Sequence, residues 1–244
     1  MTSPLPEVHI SVIIPALNEQ DAIGRVVVDL PRDLINDIIV VDNGSTDDTA
    51  RRAEEAGARV VVESRRGYGQ ACLTGIAALD DQTTVVVFLD GDYSDDPTEA
   101  SSVLAPLLAN EADLVIGSRV LGRREAGSLT PQQRFGNALA TLLIRWLYSE
   151  HYTDLGPFRA IRRDALERIG MIDKDFGWTV EMQVKAAREG LRSTEVPVSY
   201  RKRLAGQSKV AGTLMGSIRA GRKILTTIFR HAWSTPSAHT AKPT

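Results

Sequence analysis

Two aspartates separated by a single glycine, Asp90-Gly91-Asp92, end a β-branched run and are the sharpest chemical feature of this chain. Carboxylates that close repel each other unless a cation or a hydrogen-bond donor lies between them. An all-oxygen pair suits Mg²⁺ or Mn²⁺, either of which can bridge to a diphosphate. An acidic turn would use the same residue types, and Ser94, Asp95 and Asp96 follow directly. The neighbours tip the reading toward a cation. Pro15-Ala16-Leu17-Asn18-Glu19 and Asp42-Asn43-Gly44-Ser45-Thr46-Asp47 end two other apolar runs, which would put Glu19 and Asp42 on the same rim as the aspartate pair. Arg65-Arg66-Gly67-Tyr68-Gly69-Gln70 is a second candidate, since two arginines and two glycines ahead of a helix can cradle a phosphate or a ribose. No Walker A sequence is present and no G-x-G-x-x-G follows the first run, which argues against a P-loop NTPase or a dinucleotide enzyme.

The elements that must position these residues follow from periodicity. VHISVIIP (8–15), INDIIVVD (35–42), ARVVVES (58–64), TTVVVFLD (83–90) and ADLVIGS (112–118) are nearly continuous in apolar character, as strands covered on both faces of a parallel sheet are. Helical patterns near 19–30, 47–57, 69–80 and 96–110 alternate with them. Asn18 is placed to cap the first helix, and Ser45 or Thr46 to open the second. The alternation predicts a doubly wound α/β domain, in which ligands bind beyond the carboxyl ends of the strands. After 118 come a loop rich in Gly and Arg, an apolar helix at 131–149, a strand at 158–162, helices near 163–170 and 179–190, and a strand at 194–200. A domain over 1–209 is expected, then a basic amphipathic helical segment over 210–233 and a disordered tail over 234–244.

Composition bounds the rest. With 244 residues, 43% hydrophobic and 25% charged, the chain can fill a core and is neither a disordered protein nor a fibre. Cys72 is its one cysteine, which excludes an internal disulfide and a multi-thiolate zinc site. Cys72 reads as a small buried residue rather than a nucleophile. The four histidines, His9, His151, His231 and His239, are too scattered for a local metal motif. The formal charge of −2 hides an asymmetry, because residues 1–195 carry a net −11 and no Asp or Glu follows Glu195. A basic C-terminal end fits an anionic partner such as a membrane surface, and equally a solvated helix balancing the acidic body. Nothing points to nucleic acid. No segment reaches the roughly 20 apolar residues a bilayer crossing needs. The opening MTSPLPEVHI has neither a basic n-region nor an apolar stretch, so the expected location is cytoplasmic, with peripheral contact at the inner face of the cell membrane.

Taken in order, Pro15-Ala16-Leu17-Asn18-Glu19, Val41 to Asp47, Gly67-Tyr68-Gly69, Asp90-Gly91-Asp92, Gly117-Ser118-Arg119 and Arg134 resemble family 2 glycosyltransferases. Asp154-Leu155-Gly156-Pro157-Phe158-Arg159, Glu195-Val196-Pro197-Val198 and Gly206-Gln207-Ser208-Lys209 resemble the dolichol-phosphate mannosyltransferase-like, polyprenyl-phosphate branch of that family. The resemblance runs from about 8 to 225 and implies a GT-A fold. It further implies inverting transfer of a hexose from a UDP- or GDP-sugar to a polyprenyl or dolichyl phosphate, with Mg²⁺ or Mn²⁺ as cofactor. On this likeness Pro15, Asn18, Glu19, Asp42, Gly67 and Asp90 would line the donor pocket, and Asp90, Asp92 and Ser94 would hold the metal. Arg119 and Arg134 would hold the acceptor phosphate.

The chain departs from the family pattern at three places. Ser94 stands where Gln is frequent, with Asp95 or water as a substitute ligand. Ala138 stands where a phosphate-binding Ser is expected, and Gly156-Pro157 replaces Ser-Gly. A lipid phosphate acceptor needs no general base, because its second pKa is about 6. An alcohol acceptor would need a carboxylate base, for which Asp154 and Glu181 are the candidates. Two alternatives share features with this reading. One is a soluble family 2 enzyme acting on a small hydroxylated acceptor. The other is a haloacid-dehalogenase-type phosphatase, suggested by Phe88-Leu89-Asp90-Gly91-Asp92.

Overall fold

A computed structural model describes residues 8–205 and 214–232, including side chains for 221–230 of the last stretch. The five apolar runs form β1 (Ile10–Ala16), β2 (Asp37–Asp42), β3 (Arg59–Val62), β4 (Val85–Phe88) and β5 (Leu114–Ser118), and β6 (Arg159–Arg162) and β7 (Ser193–Pro197) complete one sheet. Between them run α1 (Ile23–Val28), α2 (Thr49–Glu55), α3 (Tyr68–Ala77), α4 (Ala100–Leu108), α5 (Pro131–Tyr148), α6 (Arg163–Ile169), α7 (Trp178–Arg188) and finally α8 (Leu214–Ala232). The basic segment expected over 210–233 is therefore helical over the part described. Val210, Trp233, the Gly206-Gln207-Ser208-Lys209 segment and the 234–244 tail lie outside the described residues.

The strand order is β3-β2-β1-β4-β6-β5-β7. All pairs are parallel except the two that β6 makes with β4 and β5. Both faces are covered, which is why the strands read as unbroken apolar runs rather than alternating ones. Along β1, Val12 and Ile14 pack on one side with Val26, Val27 and Leu104. Ile13 points to the other side, into a cluster with Phe88, Ile144, Trp178 and Ile228. Each of these side chains is essentially inaccessible to water, and burying one such side chain contributes about 1.5–3 kcal/mol.

The antiparallel insertion of β6 decides what reaches the rim. Strands β1, β2, β4, β5 and β7 arrive there with their carboxyl ends, whereas β6 starts there. The segment ahead of β6 therefore meets the exits of β4 and β5, and Asp154 comes beside Arg119.

Local signals behaved unevenly. Helix α5 begins as a capping box, with Thr130 Oγ1 accepting from the Gln133 N–H, the Gln133 side chain returning to the Thr130 N–H, and Pro131 in the first turn. The expected caps on α1 and α2 do not form. Ala22 and Asp48 are the N-cap residues and neither makes a side-chain cap bond. Asn18 and Ser45 instead bond across to each other's loop, because a tertiary partner was in reach.

Candidate active site

The exits of β1 and β2 are laced together. Asn18, at a positive φ of 52°, accepts from the Thr46 N–H at 2.9 Å. Its own N–H donates to Ser45 Oγ at 3.0 Å, and the Glu19 N–H donates to Thr49 Oγ1 at 2.8 Å. Asp42 closes its turn by accepting from the Ser45 N–H at 3.0 Å. Asn43 clamps the next loop through the carbonyls of Glu63 and Arg65 and the N–H of Gly67. Pro15, Asn18, Glu19, Asp42 and Gly67 thus belong to one continuous wall. Gly67 and Gly69 have a steric reason as well, since a Cβ on either would lie 2.2 and 2.1 Å from the backbone oxygens of Lys174 and Asp173.

Asp90 and Asp92 stand beyond β4. Tyr68 donates its hydroxyl to Asp90 Oδ1 at 2.9 Å. Burial and the charge of Asp92 push the Asp90 carboxyl up to about 7. Asp92 accepts from the Ser94 N–H at 2.9 Å and from the Ser94 hydroxyl, so Ser94 orients Asp92. Asp95 is buried with no hydrogen-bond partner for either carboxylate oxygen, and burial raises its pKa well above the ordinary carboxylate value. Among the described residues no three acids, imidazoles or thiols stand close enough to enclose a metal ion. Two carboxylates, Asp90 and Asp92, fit a hard divalent cation that completes its shell with donor phosphates and water.

Arg203, which the sequence reading did not single out, meets the same acids. Its guanidinium pairs with Asp92 Oδ2 at 3.2 Å and with Glu19 Oε1. The segment after β7 is carried over the rim by two backbone bonds, from the Arg201 N–H to the Ser94 carbonyl and from the Leu204 N–H to the Asp92 carbonyl. The available signal was its position, three residues ahead of Gly206-Gln207-Ser208-Lys209.

On the other side, Arg119 grips Asp154 through Nε and Nη2 at 2.8 and 2.7 Å, and its backbone N–H adds a third bond at 2.8 Å. The guanidinium also lies 5.0 Å over the Tyr200 ring. Asp154 is fully buried, and Glu195 holds the Thr153 and Asp154 backbone N–H groups behind it. Gly156 lets this segment approach the β5 exit, where a Cβ would come 2.7 Å from the Gly117 carbonyl oxygen. The Glu181 carboxylate is occupied by the Ile172 and Asp173 N–H groups and by Lys185.

Two cavities flank α5. One, about 650 Å³, is lined by Arg124, Arg134, Ala138, Arg145 and His151 among others. The second, about 910 Å³, runs between α5 and α8, with Arg119 at one point of its wall and Leu129, Leu139, Leu155, Ile224 and Leu225 along it. Arg119 and Arg134 therefore line adjoining cavities rather than one, and Phe135 and Asn137 are shared between them.

The family model for glycosyl transferase family 2 matches residues 11–170. The chain belongs to glycosyltransferase family 2. That match spans Asp90 and Asp92 and removes the phosphatase reading. An uncharacterised glycosyltransferase of Mycobacterium tuberculosis is 39% identical over 212 residues, covering 86% of this chain and 94% of the relative. A dolichyl-phosphate hexose transferase of Haloferax volcanii is 31% identical over 220 residues, covering 88% and 92%. Among solved structures, glucosyl-3-phosphoglycerate synthase from Mycobacterium tuberculosis, in complex with Mn²⁺, UDP-glucose and phosphoglyceric acid, superposes with a TM-score of 0.75 at 27% identity over 92% of this chain and 80% of that one. This family 2 glycosyltransferase thus has the GT-A type of α/β fold, a mostly parallel sheet between helical layers.

Proposed function

We propose that this family 2 enzyme transfers a hexose, with inversion, from a nucleotide-diphosphate sugar to a polyprenyl phosphate. The observation that carries the acceptor half is the apolar cavity of about 910 Å³ between α5 and α8, with a guanidinium, Arg119, in its wall. A chain of hydrocarbon needs such a lining, and a phosphate at its end needs such a cation. The dolichyl-phosphate hexose transferase among the relatives points the same way. The donor lies against Pro15, Asn18, Glu19, Asp42 and Gly67. The Mn²⁺ and UDP-glucose of the solved relative support both a divalent metal and a nucleotide-sugar donor.

Asp90 and Asp92 would hold the cation, with Ser94 fixing Asp92. When bound, Mg²⁺ or Mn²⁺ neutralises the charge that gathers on the departing nucleotide diphosphate. Arg119 would position the acceptor phosphate and offset its repulsion from the donor, with Arg134 adding positive charge from the adjoining cavity. Asp154 holds Arg119 in place through two parallel bonds and is thereby committed as a positioning residue. No base is needed, because a phosphate dianion is already nucleophilic at neutral pH.

A second reading has its own observation. The arginine-lined cavity of about 650 Å³ is sized for a small anionic acceptor, as phosphoglyceric acid is in the solved relative. Nucleotide release from a panel of UDP- and GDP-sugars, with Mn²⁺ or Mg²⁺, decides between the two. Release dependent on polyprenyl phosphate is expected. Release dependent on phosphoglycerate or another soluble acceptor, with none on the lipid, would transfer the assignment to the second reading.

A further inference from the structure

We infer that the outer face of α5 docks this enzyme onto an anionic lipid bilayer. Phe135, Leu142 and Trp146 are 71%, 61% and 75% exposed, the most exposed large aromatic or leucine side chains among the described residues. At 100° per residue they fall within about 40° of one another round the helix, so they form a single ridge. Arg134 and Arg145 lie together about 90° to one side of it. Isolated exposed apolar residues are ordinary, but a ridge of three on one helix marks a surface that meets something.

Charge identifies the occupant. No Asp or Glu occurs from 126 to 149, and none occurs in α8, which packs alongside α5. Arg124, Arg134 and Arg145 line the cavity on one flank of the ridge, while the other flank opens into the apolar cavity shared with α8. Tryptophan, phenylalanine and leucine on one stripe with arginines beside them is the pattern of a helix lying in a membrane interface. A symmetric contact with a second copy would set these arginines against themselves with no acid on the face to answer them. The ridge also separates the two cavities, so both open toward the surface it would touch. A hydrocarbon tail could then enter without crossing water. This inference deepens the polyprenyl phosphate reading by naming the surface from which that acceptor comes.

The test uses the full chain and vesicles that contain no polyprenyl phosphate, so that docking is read apart from turnover. Binding to mixed phosphatidylglycerol–phosphatidylcholine vesicles is expected, weaker by about 10-fold or more on phosphatidylcholine alone and falling with added salt. The triple variant Phe135→Ser/Leu142→Ser/Trp146→Ser should lose about 10-fold or more of that binding. Should it fail to fold, Trp146→Phe serves instead, because the wild-type blue shift of tryptophan emission on vesicle addition should disappear in it. Unchanged binding in the triple variant, no binding by the wild type, or a dimer in sedimentation that the triple variant dissolves would each overturn the inference. Turnover of a water-soluble short-chain polyprenyl phosphate by Trp146→Phe reports separately on the acceptor assignment.

Discussion

Arg203 brings one guanidinium to two acids, Glu19 and Asp92, that otherwise have every reason to separate. Replacing it by methionine removes the cation that Glu19 and Asp92 share in a partly buried wall, at a cost of about 2 kcal/mol. In the presence of chelator, Arg203→Met should therefore melt about 4–8 °C below the wild type. Added Mn²⁺ should close most of that gap in calorimetry, because a bound cation replaces the missing charge; a gap indifferent to metal would detach Arg203 from the cation site. Arg134, exposed in its cavity, is a different case. Arg134→Ala should raise the acceptor KM about 10-fold or more, with the donor KM little changed, since one charge-assisted phosphate contact is worth about 1.5–3 kcal/mol. Glu63 supplies a pH signature. The Thr74 hydroxyl, the Arg65 N–H and side chain, and the Gln70 amide hold its carboxyl at about 2, below its ordinary 4.5. A depressed folded-state pKa contributes stability that is whole above the unfolded value and drains away as pH falls through the folded one. The stability difference between wild type and Glu63→Gln should accordingly be flat above about pH 5 and shrink toward zero near about pH 2 in denaturant titrations.

At the scale of elements, helices and strands were legible and their caps were not. Every strand and helix read from periodicity exists, because apolar runs and helical spacing are set by burial, which the local sequence encodes. Asn18 and Ser45 were free to cap only while their loops were considered alone; folded, they reach each other's loop. The same logic explains the Gly67-Tyr68-Gly69 stretch at the start of α3. Its glycines admit the 173–174 backbone, and Tyr68 reaches back to Asp90. Gly69→Ala should drive a Cβ into the Asp173 carbonyl oxygen and displace the loop that Lys223 pairs with at 2.8 Å. A loss of about 2 kcal/mol or more is expected in chemical denaturation, and a neutral result would mean the loop is easily moved.

For the whole molecule, α8 is a part of the packed body. Ile228 is fully buried against the α5 and α7 layer, and Tyr148 donates its hydroxyl to the Ile228 carbonyl at 2.5 Å. Ending the chain at residue 213 should therefore cost about 5 kcal/mol or more, from lost burial alone. That corresponds to a melting temperature lower by about 10 °C or more in a thermal scan. A helix serving only as a surface anchor would leave the melting temperature unchanged. Removing α8 consequently tests folding before it tests lipid binding. Among the described residues no helix is long and apolar enough to cross a membrane.

The amino-acid order by itself determined the alternation of strands and helices, the rim on which Glu19, Asp42, Asp90 and Asp92 gather, and the motifs that resemble family 2 enzymes. These are local properties, since burial periodicity and strand-end chemistry are written within a few residues of where they act. Only the tertiary structure decided that β6 runs against its neighbours and so sets Asp154 on Arg119, 35 residues away in the chain. It alone decided that Arg203 crosses 184 positions to reach Glu19, and that Asp95 is buried without a partner. Contacts of that range depend on where whole elements pack, and no window of sequence contains both partners.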